Sequence, residues 1–178
     1  MKTTAFLLTV LVGGAAGVAF ASGAKTEGPD SRVTVTYVDP EKFTDFSRND
    51  WEHTSPDLQA ELKKFLVATG ERYVPAGMHL DIKVTDIDLA GAFEPWRGPQ
   101  FDHVRVVKAI YPPRIALQFK LTNAQGKTVS AGDRALTDLT FQDRDAFLLP
   151  ADDYLRYEKS LLTDWFSSEF KSVKVAGD

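Results

Sequence analysis

Asp86 and Asp88 are the residues whose spacing is best suited to acid–base chemistry. They stand two positions apart in a strand-like segment, so regular strand geometry directs both side chains to one face. Two carboxyl groups about 5 to 9 Å apart can serve as acid and base on a glycosidic bond. With Glu94 as a further candidate, they define one functional hypothesis, a hydrolase. The alternation with Asp81 and Lys83 favours instead a polar face exposed to solvent.

Other catalytic chemistries lack their characteristic residues. The histidines, His53, His79 and His103, do not have the spacing of metal ligands, and the chain contains no cysteine. No Gly-x-Ser-x-Gly segment places a nucleophilic serine, and no glycine-rich loop is suited to phosphate. The sequence therefore predicts no catalytic residue of these kinds, no metal and no cofactor.

The segment from Ala90 to Asp102 carries the residues best suited to binding. It has no regular periodicity and is long for a connection within one domain, and such loops often carry function. Phe93, Trp96 and Phe101 offer large contact areas, and Arg97 follows the tryptophan. We predict a binding surface formed by these four residues. The alternative is that the aromatic rings hold the loop against the sheet.

Glu158 is the centre of a second candidate cluster. It stands beside the apolar stripe of a predicted C-terminal helix, from which it can reach the sheet. Arg105 or Arg114 would supply a cation for it there. We expect a structural role for this polar cluster, as an ion pair or a hydrogen-bonded link between helix and sheet.

The elements that position these residues follow from the apolar periodicity. Alternation of apolar and polar residues predicts strands over 33–37, 80–89, 104–110, 115–121 and 129–139. Helical spacing predicts one helix from Pro56 to a stop at Gly70 and another over 152–171. Within the second strand the apolar positions change parity, which predicts a β-bulge near Thr85 and Asp86.

The resulting element order is β-α-β-β-β-β-α. This order favours an α+β fold, a mostly antiparallel sheet of about five strands with two α-helices packed on one face. We expect a single domain over residues 33–171, a flexible N-terminal segment at 22–32 and a C-terminal tail at 172–178.

The N-terminus has the features of a secretory signal peptide over residues 1–21. An apolar run follows a positively charged start, and the small residues Ala19 and Ala21 match a leader-peptidase site. The run is interrupted by glycines and is shorter than the ~20 apolar residues that span a bilayer. We expect a periplasmic protein, cleaved after Ala21 or Ala24, without a membrane anchor.

The composition limits the classes of partner. The formal net charge of −4 argues against nucleic acids and anionic membrane surfaces, which both favour basic patches. Without cysteine, stability must come from a packed core, and the hydrophobic fraction of 43% is consistent with one.

Several segments together resemble a known family. They are 84–91, 104–108 with the following 112–114, 138–141, and the run Leu-Arg-Tyr-Glu-Lys at 155–159 with Trp165-Phe166. From about Val33 to Phe170 the chain resembles the bacterial exported proteins catalogued as domain of unknown function 3016, which occur in proteobacteria. The resemblance implies a periplasmic setting and no assigned activity.

These observations favour a non-enzymatic binding or interaction module of the cell envelope. Its partner would be an envelope protein or a small ligand. One alternative is a hydrolase of envelope glycan or peptide that uses the carboxylates described above. Another is a carrier or chaperone for a small apolar ligand held between the helices and the sheet.

Overall fold

The structure is a computed structural model that describes residues 31–45, 56–101, 104–143, 150 and 152–175. The predicted signal peptide and its cleavage site lie outside these residues. The described elements, in chain order, are β1 (Val33–Tyr37), α1 (Pro56–Tyr73), β2 (Met78–Asp88), β3 (Ala92–Phe93), β4 (Arg105–Val106), β5 (Arg114–Asn123), β6 (Thr128–Thr137) and α2 (Arg156–Val175).

The main sheet has four strands in the order β1-β2-β5-β6, and β3 pairs with β4 in a separate two-stranded sheet. β5 is antiparallel to both of its neighbours, β2 and β6, whereas β1 lies parallel to β2 with Val33 opposite Leu80. The parallel pair needs a crossover connection, which α1 provides. Two helices and a mixed sheet confirm the predicted α+β fold.

The strand predicted over 104–110 is much shorter in the structure. Only Arg105–Val106 is extended, and it pairs with β3 rather than with the main sheet. The chain then turns, and the N–H of Tyr111 donates to the carbonyl of Lys108 at 2.9 Å. The prolines at 112–113 follow, and they have no N–H groups with which to continue a ladder.

The core lies between the helices and one face of the main sheet. Leu80, Ile82 and Val84 of β2 point to this face, and the pairing with β5 shifts register after Val84. The shift confirms the predicted bulge, and it returns Ile87 to the buried face. The other fully buried side chains of this core include Leu62 and Leu66 of α1, Ile115, Leu117 and Leu121 of β5, and Leu162, Phe166 and Phe170 of α2.

Both helices differ from their predicted ends for local reasons. Gly70, predicted as the stop of α1, lies inside it, because β1 packs so closely there that a Cβ would lie 2.9 Å from a methyl carbon of Val33. α2 begins at Arg156, later than predicted. Asp153 orders the turn before it, since its Oδ1 accepts the N–H of Leu155 at 2.9 Å.

Candidate functional site

Three charged side chains hold the start of the loop that follows β2, by which we mean residues 89–101, including the short strand β3. We call Asp45, Arg105 and Glu158 the root cluster. Asp45 Oδ2 accepts the N–H of Leu89 at 2.6 Å, and Glu158 Oε1 accepts that of Ala90 at 2.7 Å. Arg105 donates to the carbonyls of both residues at 2.9 Å. All four backbone polar groups therefore have charge-assisted hydrogen bonds, which fix the path of the loop as it leaves β2.

The structure brings together two of the three residues predicted to form a polar cluster. Arg105 lies beside Glu158, and both bind the same backbone residue, but the ion pair of Arg105 is with Asp45, at 2.5 Å. Arg114 lies elsewhere and pairs with Asp88 at 2.9 Å. Of the two expected links between helix and sheet, an ion pair or hydrogen bonds, the structure shows hydrogen bonds of Glu158 and Arg105 with the backbone of Ala90.

Asp45 is the member of the root cluster that the sequence interpretation missed. It follows a short turn at Pro40–Lys42, where no periodic pattern identifies it. Its own N–H donates to the carbonyl of Ile87 at 2.8 Å, so this segment contacts the end of β2. The signal available in the sequence was its position between Phe43 and Phe46, an apolar context that is unusual for a solvated carboxylate.

Glu158 is buried, with 1% of the residue exposed. Burial raises its pKa to about 7, and the negative charge of Asp45 also raises it, whereas the N–H of Ala90 and the positive charge of Arg105 lower it. Its Oε2 has no hydrogen-bond partner among the described residues. Glu158 is therefore an interior carboxyl group that changes charge near neutral pH.

Glu94 anchors the loop farther along. It is 2% exposed and forms ion pairs with Lys108 at 2.5 Å and with Arg97 at 3.2 Å. The hydroxyl of Tyr111 also donates to it, at 3.2 Å. The hydrogen bond from Lys108 is the main reason why the pKa of Glu94 is lower than usual. A carboxylate held ionised in this way is poorly suited to act as a general acid.

The four residues predicted to form a binding surface lie on this loop but differ in exposure. Trp96 is 72% exposed. Phe93 is half-buried, and the guanidinium of Arg105 lies 5.3 Å from the centre of its ring. Arg97 lies 5.9 Å from the centre of the Phe101 ring. Phe93 thus helps to hold the loop, as the alternative expected, while Trp96 remains available for contact.

Trp96 is one of four large apolar side chains exposed at the same end of the main sheet. We call Trp96, Ile110, Leu139 and Tyr154 the apolar end, and each is at least 64% exposed. Ile110 lies in the turn between Lys108 and Tyr111, which both donate hydrogen bonds to Glu94. Leu139 follows Asp138, whose N–H donates to the carbonyl of Pro113 just before β5. Tyr154 lines a cleft together with Val107, the residue after β4. These contacts place Ile110 and Tyr154 beside the loop and Leu139 near the start of β5.

The cleft at this end has a volume of about 160 Å³. Its lining includes Arg105, Tyr154, Arg156 and Tyr157. The Tyr157 ring packs edge-on against Phe141, with ring centres 4.9 Å apart. Because small-molecule sites usually enclose roughly 300–1,000 Å³, this cleft suits one side chain of a partner better than a separate ligand.

Asp86 and Asp88 both have structural partners. Asp86 accepts hydrogen bonds from the backbone N–H and the hydroxyl of Thr44, at 2.7 and 3.0 Å. Asp88 pairs with Arg114, and burial raises its pKa in spite of that pairing. Neither aspartate lines the cleft. The arrangement gives no support to the hydrolase hypothesis.

The histidine that the structure describes has polar neighbours of its own. His79 Nε2 lies 3.2 Å from both Thr34 Oγ1 and Asp81 Oδ1. His53 and His103 lie outside the described residues. Within the described part of the chain, no group of three His, Cys, Asp or Glu side chains could hold a metal ion.

Gly91, the residue after the root of the loop, is expected to tolerate no side chain. Its φ is 86°, and a Cβ would lie 2.8 Å from the carbonyl oxygen of Val106. We expect Gly91→Ala to lower the free energy of unfolding by about 2 kcal/mol or more, because left-handed backbone alone costs about 1–2 kcal/mol. Urea titration followed by circular dichroism measures the change.

Gly126→Ala is the control for this substitution. Gly126 has a φ of 75°, and nothing lies within 4 Å of a Cβ built there. The stability lost in Gly126→Ala therefore measures the strain of the left-handed backbone alone, without a steric clash. Equal losses for the two variants would contradict a role for the close approach to Val106.

The fold and these contacts define a class of protein: a small α+β domain with helices on one face of a mixed sheet and a firmly anchored loop at one end. A family model described as Protein of unknown function (DUF3016) matches residues 31–168. The chain belongs to this family, as its segments predicted. Searches of curated proteins and of solved structures found no match. In the described regions, no helix is long and apolar enough to cross a membrane.

Proposed function

We propose that this protein is a non-enzymatic binding module of the proteobacterial periplasm, and that it binds an envelope protein through its apolar end. The signal-peptide features at the N-terminus support the compartment. The small cleft and the structural engagement of the candidate carboxylates support binding rather than hydrolysis. The filled core between helices and sheet favours a surface partner over a ligand carried in the interior.

The exposure of Trp96 on an anchored loop carries this proposal. A tryptophan that is 72% exposed leaves a large apolar area in water. The loop that bears it is held by the ion pairs of the buried Glu94 with the half-exposed Arg97 and Lys108, and by the root cluster. A backbone ordered in advance loses little conformational entropy on binding, and tryptophan and arginine are enriched among residues that dominate interfaces.

The test combines capture from a periplasmic extract with site-specific crosslinking. We expect Trp96→Ala to lose the specific partner while the melting temperature stays near that of the wild type. Arg97→Ala should also lose the partner, with a small fall in melting temperature because it breaks the ion pair with Glu94. Val129→Ala is the matched control, because Val129 is 49% exposed on β6, away from the loop. N-terminal sequencing of the protein from the periplasm checks export and distinguishes cleavage after Ala21 from cleavage after Ala24.

Two outcomes would contradict the proposal. Retention of every specific partner by both loop variants would exclude the loop as the site. A full-length chain found only in the cytoplasm would exclude the compartment.

A further inference from the structure

β6 is an edge strand of the main sheet. It has 10 residues, whereas β1 at the other edge has 5. Among the described residues, no strand pairs with the outer side of β6. The backbone N–H and C=O groups on that side form a row of sites to which another strand can bind.

A groove of about 650 Å³ runs along the second half of this edge. One wall consists of the consecutive residues from Arg134 to Asp138, and the other includes Leu161, Trp165 and Ser168 of α2, spaced about one helical turn apart. Five strand residues span about 17 Å, so the groove exposes enough edge for a short strand.

A charged side chain protects the middle of β6, whereas the residues after it lack such protection. The Arg134 guanidinium lies over Gly132, where a Cβ would be 2.6 Å from its Nη1, and it forms a two-pronged ion pair with Glu169 at 2.7 and 2.8 Å. An inward-pointing charge of this kind blocks unwanted pairing at a sheet edge. The next residues, 135–137, carry no charge.

The two ends of the groove differ in charge. Glu169 pairs with Arg134, so the exposed Lys171 lies at the end where the groove begins on β6. Asp138 and Asp164 line the other end, where the buried Asp138 also accepts hydrogen bonds from the N–H and the hydroxyl of Thr140 at 2.9 and 3.0 Å. A strand antiparallel to β6 would begin beside the aspartates and end beside the lysine. Charge complementarity therefore favours a segment that begins with a basic residue and ends with an acidic one.

We propose that the groove binds an extended polypeptide segment of a partner protein, which adds to β6 as a further antiparallel strand, basic at its start and acidic at its end. Backbone hydrogen bonds supply the affinity, and the charged ends set the direction. The inference is independent of the proposed function, because the groove does not include Trp96 and its test uses a defined peptide.

The test uses the peptide Ac-Lys-Thr-Val-Thr-Glu-NH₂ and its charge-reversed counterpart Ac-Glu-Thr-Val-Thr-Lys-NH₂, titrated into ¹⁵N-labelled protein. We expect the first to shift the amide resonances of residues 134–138 and to slow hydrogen exchange at alternate amides there. The second should bind about threefold more weakly, the size of an exposed ion pair. Lys171→Glu should reduce or reverse this preference, while Lys127→Glu, an exposed charge change at the far end of β6, should not.

N-methylation separates strand addition from other binding. One derivative carries the methyl group on valine, and another carries it on both threonines. Because only alternate amides of the peptide face β6, we expect one derivative to lose binding by about tenfold or more and the other to retain it.

Three results would overturn the inference. Equal effects of the two methylated derivatives would show binding without strand pairing. An absence of shifts at 134–138 up to the solubility limit of the peptide would exclude the groove. Slow exchange of these amides in the free protein, together with a dimer in sedimentation, would assign the edge to a second copy of this chain.

Discussion

Replacing Glu158 with glutamine is expected to remove most of the pH dependence of stability between pH 5 and 8. The pKa of Glu158 is about 7 in the folded protein, against its ordinary value of 4.5. The folded state therefore binds more protons than the unfolded state in this range, and its stability falls as pH rises. The contribution of Glu158 to the free energy of unfolding is complete below pH 4.5 and lost above about pH 7. A pKa difference of this size changes the free energy of unfolding by about 3 kcal/mol.

Denaturant titrations at several pH values measure this effect. The wild-type free energy of unfolding should fall from pH 5 to 8, and the glutamine variant should show a much flatter profile. Glu71→Gln is the control. Hydrogen bonds from Ser31 and Arg32 outweigh burial and lower the pKa of Glu71, so its contribution changes only in more acidic solution. A wild-type profile as flat as that of the variant would contradict the assignment.

Glu158→Ala tests the hydrogen bond rather than the charge. It removes the acceptor for the N–H of Ala90 and leaves that donor buried. We expect the melting temperature to fall by several degrees at acidic and at neutral pH, measured by circular dichroism.

Removing the guanidinium of Arg105 is expected to cause the largest loss of stability among substitutions of charged residues discussed here. The side chains of Arg105 and Asp45 are 12% and 11% exposed. Arg105→Ala leaves Asp45 as a buried charge without its cation, and it frees two backbone carbonyls. Losing one partner of a buried ion pair costs about 3–5 kcal/mol.

Arg114→Ala is the matched control, because Arg114 also forms an ion pair with an aspartate, Asp88. That pair is more exposed, at 54% for Arg114 and 25% for Asp88, so we expect a loss of at most about 1 kcal/mol. Urea titration compares both variants. Similar losses would show that burial of the Arg105 pair does not determine its contribution.

Local signals in the sequence were sufficient for much of the fold. The parity change after Val84 predicted the bulge because a buried face constrains every second residue of a strand. The parallel pairing of β1 with β2 could not be predicted in the same way. It depends on which strands become neighbours in space, and the alternation of Val33 and Val35 is equally consistent with either direction.

The candidate site was predicted only in part, for a similar reason. Aromatic composition identified the loop, and apolar spacing placed Glu158 beside the sheet. Neither signal identified Asp45 or the buried role of Glu94, because their partners come from distant segments. Nothing local to Glu94 shows that Lys108 and Tyr111 turn back toward it.

The root cluster also has a consequence for the order in which the chain assembles. Its longest-range contacts join residues separated by 44, 60 and 68 positions, and the last partner, Glu158, belongs to the C-terminal helix. Contacts of such long sequence separation close large chain loops and form slowly. A nascent chain that lacks α2 has no acceptor for the Ala90 N–H. We therefore expect the start of the loop that bears Trp96 to be held in place only after the C-terminal helix docks.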